Sequence, residues 1–174
     1  MNAGRFVASS APIAALAQKR LTSPSRPPRP TFRESLEIST LVAPDGSVEW
    51  LCLPRPDSPS VFGALLDRAA GNFRFGPTGI DVPNQRRYVP GTNVLETTVT
   101  TPTGEIRVLD FMPTADRRAD LVRRIVGVRG SVRLRHELVI RFDYGQIRPW
   151  VHREVAHGAE VIVAIAGPDK LVLG

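Results

Sequence analysis

From Leu41 to the last residue, apolar and polar positions alternate in short runs, and nearly every run is closed by Pro, Gly, Asn or Asp. A period of two with frequent turn residues predicts half-buried strands rather than helices. The clearest turn is Pro44-Asp45-Gly46. Proline presets φ for the first central position, aspartate bonds its own backbone, and glycine takes positive φ without a steric cost. Leu41–Ala43 and Ser47–Leu53 therefore read as a hairpin, with Val48, Trp50 and Cys52 on one face of its second arm. Val94–Thr101, dense in β-branched residues, pairs in the same way with Glu105–Met112 across Pro102-Thr103-Gly104. A third hairpin is expected around Arg129-Gly130, with Leu121–Val128 and Ser131–Asp143 as its arms. In that second arm Val132, Leu134, His136, Leu138, Ile140 and Phe142 fall on a core face and Arg133, Arg135, Glu137, Arg141 and Asp143 on a wet one. As one strand its thirteen residues would span about 43 Å. Asn72–Phe75, Arg86–Val89, Trp150–Val155, Glu160–Ala166 and Leu171–Leu173 supply further short strands.

One segment breaks the pattern. Ser60–Arg68 spaces Val61, Leu65 and Leu66 for one or two helical turns, with Ser58 or Ser60 as N-cap and Gly71 as stop. The fold predicted is all-β, an antiparallel β-sandwich with one short helix. Composition agrees: 42% apolar residues in 174 suffice for one core, and 16 prolines with 14 glycines leave little room for long helices.

Charge changes the picture only through its location. Residues 1–33 carry Arg5, Lys19, Arg20, Arg26, Arg29 and Arg33 with no Asp or Glu, so this segment holds the whole formal charge of +6. The segment 1–33 reads as a disordered basic tail, since SPSRPPRP at Ser23–Pro30 cannot build helix or sheet; a weak helix is conceivable over Phe6–Leu21. Residues 34–174 balance 17 basic against 17 acidic side chains. A neutral domain without a basic face is a poor phosphate binder, which argues against nucleic acid. The apolar run at Ala11–Ala17 is too short for a signal sequence or membrane span, so cytoplasm is the expected location. Cys52, the single cysteine, admits no internal disulfide and suits a reducing compartment.

Several ordered blocks, DGSVEWLCLPRPDSPSVFGALLD, RRYVPGTNVLETT, VLDFMP, LVRRIVGVRG and RFDYGQIRPW, resemble the N-terminal β-sandwich (trehalase-like N-terminal) domain of bacterial glucoamylase- and trehalase-like enzymes in glycoside hydrolase family 15. The resemblance runs from about Leu41 to the last residue. It implies a sandwich of the super-sandwich type over 34–174, normally followed by a longer (α/α)6 barrel that holds the paired catalytic carboxylates and is absent from this chain. The implied partners are that barrel, in cis or in trans, and a glucose-containing saccharide.

Candidate chemistry is sparse. Glycosidic hydrolysis needs two carboxyl groups roughly 5 to 10 Å apart in distinct environments. Glu49, Glu96, Glu105 and Glu137 instead sit on strand faces where exposed carboxylates are ordinary, and Asp45, Asp116 and Asp120 lie in turns or loops, so no catalytic residue is assigned. His152, Glu154 and His157 fit no zinc spacing, because the second histidine points away from the other two on a strand; no metal or cofactor is expected. His136 reads as an interior, hydrogen-bonded histidine. The remaining candidate is the loop stiffened by Pro54, Pro56 and Pro59. Trp50 is expected in the core, and Arg55 and Asp57 either pair across Pro56 or anchor the loop. Following the resemblance, Trp50, Arg55 and Asp57 would border a sugar pocket or an interdomain contact. The reading reached is a non-catalytic module supporting a barrel; the alternatives are a free-standing carbohydrate-binding or protein-interaction sandwich, or a truncated remnant.

Overall fold

The computed structural model describes residues 13–19, 39–77, 85–113, 120–156 and 158–174. These residues form thirteen strands and no helix: β1 (Ile13–Lys19), β2 (Thr40–Val42), β3 (Ser47–Cys52), β4 (Ser60–Phe62), β5 (Asn72–Pro77), β6 (Gln85–Tyr88), β7 (Leu95–Thr101), β8 (Gly104–Phe111), β9 (Asp120–Gly130), β10 (Leu134–Val139), β11 (Trp150–Ala156), β12 (Ala159–Ala166) and β13 (Asp169–Leu173). All pairings are antiparallel. One sheet has eight strands in the order β11-β12-β13-β1-β9-β8-β7-β6; the other has the order β10-β5-β3-β2, with β4 sharing the β5 flank of β3.

The sheets face each other across two apolar clusters. In the larger, Val48, Leu51, Phe62 and Phe73 of the small sheet meet Leu121, Ala164 and Leu171 of the large one. The smaller gathers Val99, Ile106, Val108 and Val132. Between them lies a buried ion pair. Arg123 and Asp110, directly opposed on β9 and β8, have side chains 2% and 3% exposed. Arg123 Nε donates to Asp110 Oδ1 at 2.7 Å and Nη2 to Oδ2 at 3.3 Å. The same guanidinium donates through Nη1 to the Phe73 carbonyl at 2.8 Å and through Nη2 to the Gly46 carbonyl at 2.6 Å, and lies 5.0 Å from the centre of the Phe73 ring. A planar fork with five donors can satisfy a carboxylate and two carbonyls at once. The remaining gap beside it is only about 10 Å³, too small for any ligand.

The first two hairpins form as their turns demand. Ala43 N donates to Ser47 O, Ser47 N to Asp45 Oδ1, and Gly46 sits at φ +82°. The other expectations need correction. The helix expected at Ser60–Arg68 is absent. Val61 and Phe62 are fully buried in β4, whereas Leu65 and Leu66 are 55% and 64% exposed in turns, so the apolar spacing does not mark one buried stripe. The third hairpin is absent too. β9 belongs to the large sheet and β10 pairs with β5 in the small one, so the chain crosses between layers at 131–133. The long strand predicted at 131–143 is only six residues. Within the tail, Ile13–Lys19 is a strand rather than part of a weak helix, registered against β9 and β13; the rest of 1–33 lies outside the described residues.

Candidate functional site

The proline-braced loop leaves β3 at Leu53, which is fully buried and followed by a cis bond to Pro54. Its backbone closes locally: Ser58 N donates to Arg55 O at 3.1 Å, and Arg55 N to Ser58 Oγ at 3.3 Å. Arg55 and Asp57 do pair across Pro56. Nε donates to Oδ1 at 2.9 Å and Nη2 to Oδ2 at 2.7 Å, a two-pronged contact with the side chains 63% and 68% exposed. So wet a pair adds little stability, about 0–1 kcal/mol. Its effect is presentation: a preset fork of donors and acceptors at the surface.

Trp50 lies outside both core clusters, which corrects its expected place in the core. The strict alternation of β3 fails at the register shift facing Leu41 and Val42, where Leu41 pairs with Trp50 but Val42 with Val48, and it is Val48, Leu51 and Leu53 that point into the core. Trp50 is half-buried. Its ring centre is 6.0 Å from that of Tyr144, and the strand pairing sets it opposite the exposed Leu41. Tyr144 reaches it from a strained turn. Asp143 and Tyr144 have φ of +52° and +56°, a left-handed backbone that costs an L residue about 1–2 kcal/mol, and Gly145 follows at +96°. A Cβ on Gly145 would come within 2.7 Å of Ala70 Cβ. Tyr144 N also donates to the buried Ser60 Oγ at 3.1 Å, which fastens the turn to β4 just beyond the proline loop. Trp50, Tyr144 and the Arg55–Asp57 loop are thus held by one end of the small sheet. Sequence reasoning missed Tyr144, although Tyr144-Gly145 is a turn signal inside the RFDYGQIRPW block.

The carboxylates read as ordinary exposed groups are mostly held by arginines. Glu49 pairs with Arg68, Asp45 with Arg74, Glu105 with Arg129 and Glu137 with Arg135. Glu96 departs furthest from the exposed reading. Its side chain is only 8% exposed on the outer face of the large sheet, 2.7 Å from Arg87 and 3.5 Å from Arg107. The hydrogen bond from Arg87, with the charges of both arginines, holds its carboxyl below the usual range against the opposing effect of burial. It floors an open groove of about 490 Å³ lined also by Gln85, Thr98 and Arg107.

His136 is not interior. Its ring lies 5.3 and 5.4 Å from those of Phe73 and Phe75 with part of it facing solvent; desolvation, then the Arg123 charge, push its pKa below the usual 6.5. His152 stacks on Trp150 at 4.2 Å, and its Nε2 is 3.7 Å from Glu154 Oε2; His157 lies outside the described residues. Among the described residues no helix is long and apolar enough to cross a membrane.

Comparison with known proteins gives this geometry a family. Residues 25–171 match the model described as "Trehalase-like, N-terminal". A trehalase of Mycobacterium tuberculosis is 39% identical over 187 aligned positions, covering 93% of this chain and 28% of the relative. One from Mycolicibacterium smegmatis is 40% identical, covering 80% and 24%, and Trehalase 1 of Sulfolobus acidocaldarius is 36% identical, covering 67% and 20%. The chain thus spans about a quarter of the two mycobacterial relatives. No solved structure matches. With a match over most of its length, and paired antiparallel sheets to go with it, this chain belongs to the trehalase-like N-terminal domain family.

Proposed function

We propose that the chain serves as the non-catalytic N-terminal sandwich of a trehalase- or glucoamylase-type enzyme of glycoside hydrolase family 15, buttressing a catalytic (α/α)6 barrel on the same or another polypeptide. The observation that carries this reading is the family match over 25–171 in a chain only about a quarter as long as the mycobacterial trehalases it resembles. Trp50, Tyr144, Leu41 and the Arg55–Asp57 fork form the contact face. The half-buried Trp50 with the exposed Tyr144, backed by a rigid sheet, offers an anchor, and an exposed arginine-carboxylate pair offers directional bonds to a protein surface or to the hydroxyls of a bound glucoside. The reaction belongs to the barrel. The module works in the cytoplasm, where its single thiol stays reduced.

The test uses the full 174-residue chain and the part of the M. smegmatis trehalase outside the region this chain matches, where the proposal puts the barrel, produced separately and titrated by calorimetry. Association is expected, weakened at least tenfold by Trp50→Ala and by Arg55→Ala or Asp57→Ala. A folded chain that ignores the barrel would sink the proposal.

A second reading, a free-standing carbohydrate-binding sandwich, draws on Trp150, which is largely exposed and stacked on His152. Binding of trehalose or maltooligosaccharides by the chain alone, abolished by Trp150→Ala, would favour it.

A further inference from the structure

β11 is the outermost strand of the large sheet, paired only with β12 among the described residues. Its sequence, WVHREVA, lacks proline, lysine and any bulge in its register, and its only charged side chains are Arg153 and Glu154. Instead it exposes large apolar side chains on both faces, Trp150 at 67%, Val151 at 52% and Val155 at 74%.

The hairpin that ends β11 fixes which backbone groups point outward. Ala156 opposes Ala159 with two residues between them, and the closing pair of such a hairpin exchanges both of its hydrogen bonds. Trp150, His152, Glu154 and Ala156 therefore direct their N–H and C=O toward β12. Val151, Arg153 and Val155 direct theirs away from the sheet.

We infer that this edge pairs antiparallel with the same edge of a second copy of this chain, about a two-fold axis at Arg153. In that register Val151 opposes Val155 of the second copy, and the reverse, in hydrogen-bonded pairs formed by the outward backbone groups. On the other face His152 opposes the second copy's Glu154 in the close non-hydrogen-bonded pairs, and Trp150 covers its Ala156. Apolar meets apolar, and imidazole meets carboxylate. Only Arg153 meets its own kind, and there each guanidinium already has Glu160 at 3.1 Å on its own chain. A shift of one residue would direct outward-facing groups at inward-facing ones and break this match.

Sedimentation velocity of the full chain at rising concentration tests the pairing. The expected result is a concentration-dependent shift from 19.0 kDa toward twice that mass. Arg153→Pro removes an outward N–H while leaving the β12 ladder intact, and should weaken self-association at least tenfold with the circular dichroism spectrum unchanged. His152→Glu should weaken it by setting like charges opposite, and adding Glu154→Lys should restore it. A chain that stays monomeric into the high micromolar range overturns the inference. So does a dimer that Arg153→Pro leaves untouched, or a charge pair that fails to rescue.

Discussion

Replacing Arg123 by methionine puts the central ion pair to the sharpest test. The substitution keeps much of the buried volume but removes every donor of the guanidinium. Asp110 then stays buried without its counter-ion, which costs about 3–5 kcal/mol, and the Phe73 and Gly46 carbonyls lose a donor each, about 1 kcal/mol apiece. A total near 5–7 kcal/mol approaches the whole stability of a marginal domain, roughly 5–15 kcal/mol. Asp110→Leu is expected to cost about 3–5 kcal/mol, because it strands a buried cation. The double variant Arg123→Met/Asp110→Leu carries no buried charge and should cost only about 2 kcal/mol, the residue of the two carbonyls. Urea unfolding at neutral pH reads this directly. With a slope near 2 kcal/mol per molar, the midpoint falls by about 2.5–3.5 M for Arg123→Met and by about 1 M for the double variant. A single variant too unstable to fold, beside a double variant with a cooperative transition, is the same outcome at its limit. Additive costs, or an Arg123→Met loss below about 1 kcal/mol, would refute the argument that this pair is coupled and buried.

Three further outcomes follow from geometry and charge. Gly145→Ala should lose about 2 kcal/mol or more in the same urea assay, since the new methyl meets Ala70 at a φ of +96° that alanine resists. Glu96 has a folded pKa below its ordinary 4.5, so its contribution is complete above that value and is lost as pH falls through the lower folded one; melting curves of wild type and Glu96→Gln should diverge above pH 4.5 and converge below it. His136 is harder to protonate in the fold than in the unfolded chain, so stability declines as pH drops from 6.5 toward the lowered folded value; its imidazole resonances should titrate below 6.5, and His136→Gln should flatten that slope.

The strands that were legible in the sequence are those whose turns are local. Pro44-Asp45-Gly46 and Pro102-Thr103-Gly104 state their backbone conformation within three residues, and both hairpins follow. Alternation in Val132–Phe142 tells which residues face a core but not which sheet carries them, so the crossing at 131–133 was invisible. The VFGALLD spacing suits a short helix, and only the pairing of Phe62 with Leu51 overrides it. Arg123 was hidden because a charged residue in a period-two arm reads as solvent-facing; nothing local announces that Asp110 and two carbonyls await it. In the candidate site, the Arg55–Asp57 fork was readable from its two-residue spacing. The meeting of Trp50 and Tyr144, ninety-four positions apart, was not.

Apolar contacts between two packed sheets are individually weak and carry no direction, so a core held by them alone can trade one contact for another through small repackings. Directional bonds forbid that exchange. By gripping Phe73 and the apex of the Pro44-Asp45-Gly46 turn from the opposite layer, Arg123 pins the sandwich near its middle, so displacement of either leaf must first break a short charged contact. The strand running on from that turn ends in the loop that displays Arg55 and Asp57, and the pin therefore sets the posture of a surface whose own bonds are too wet to hold it.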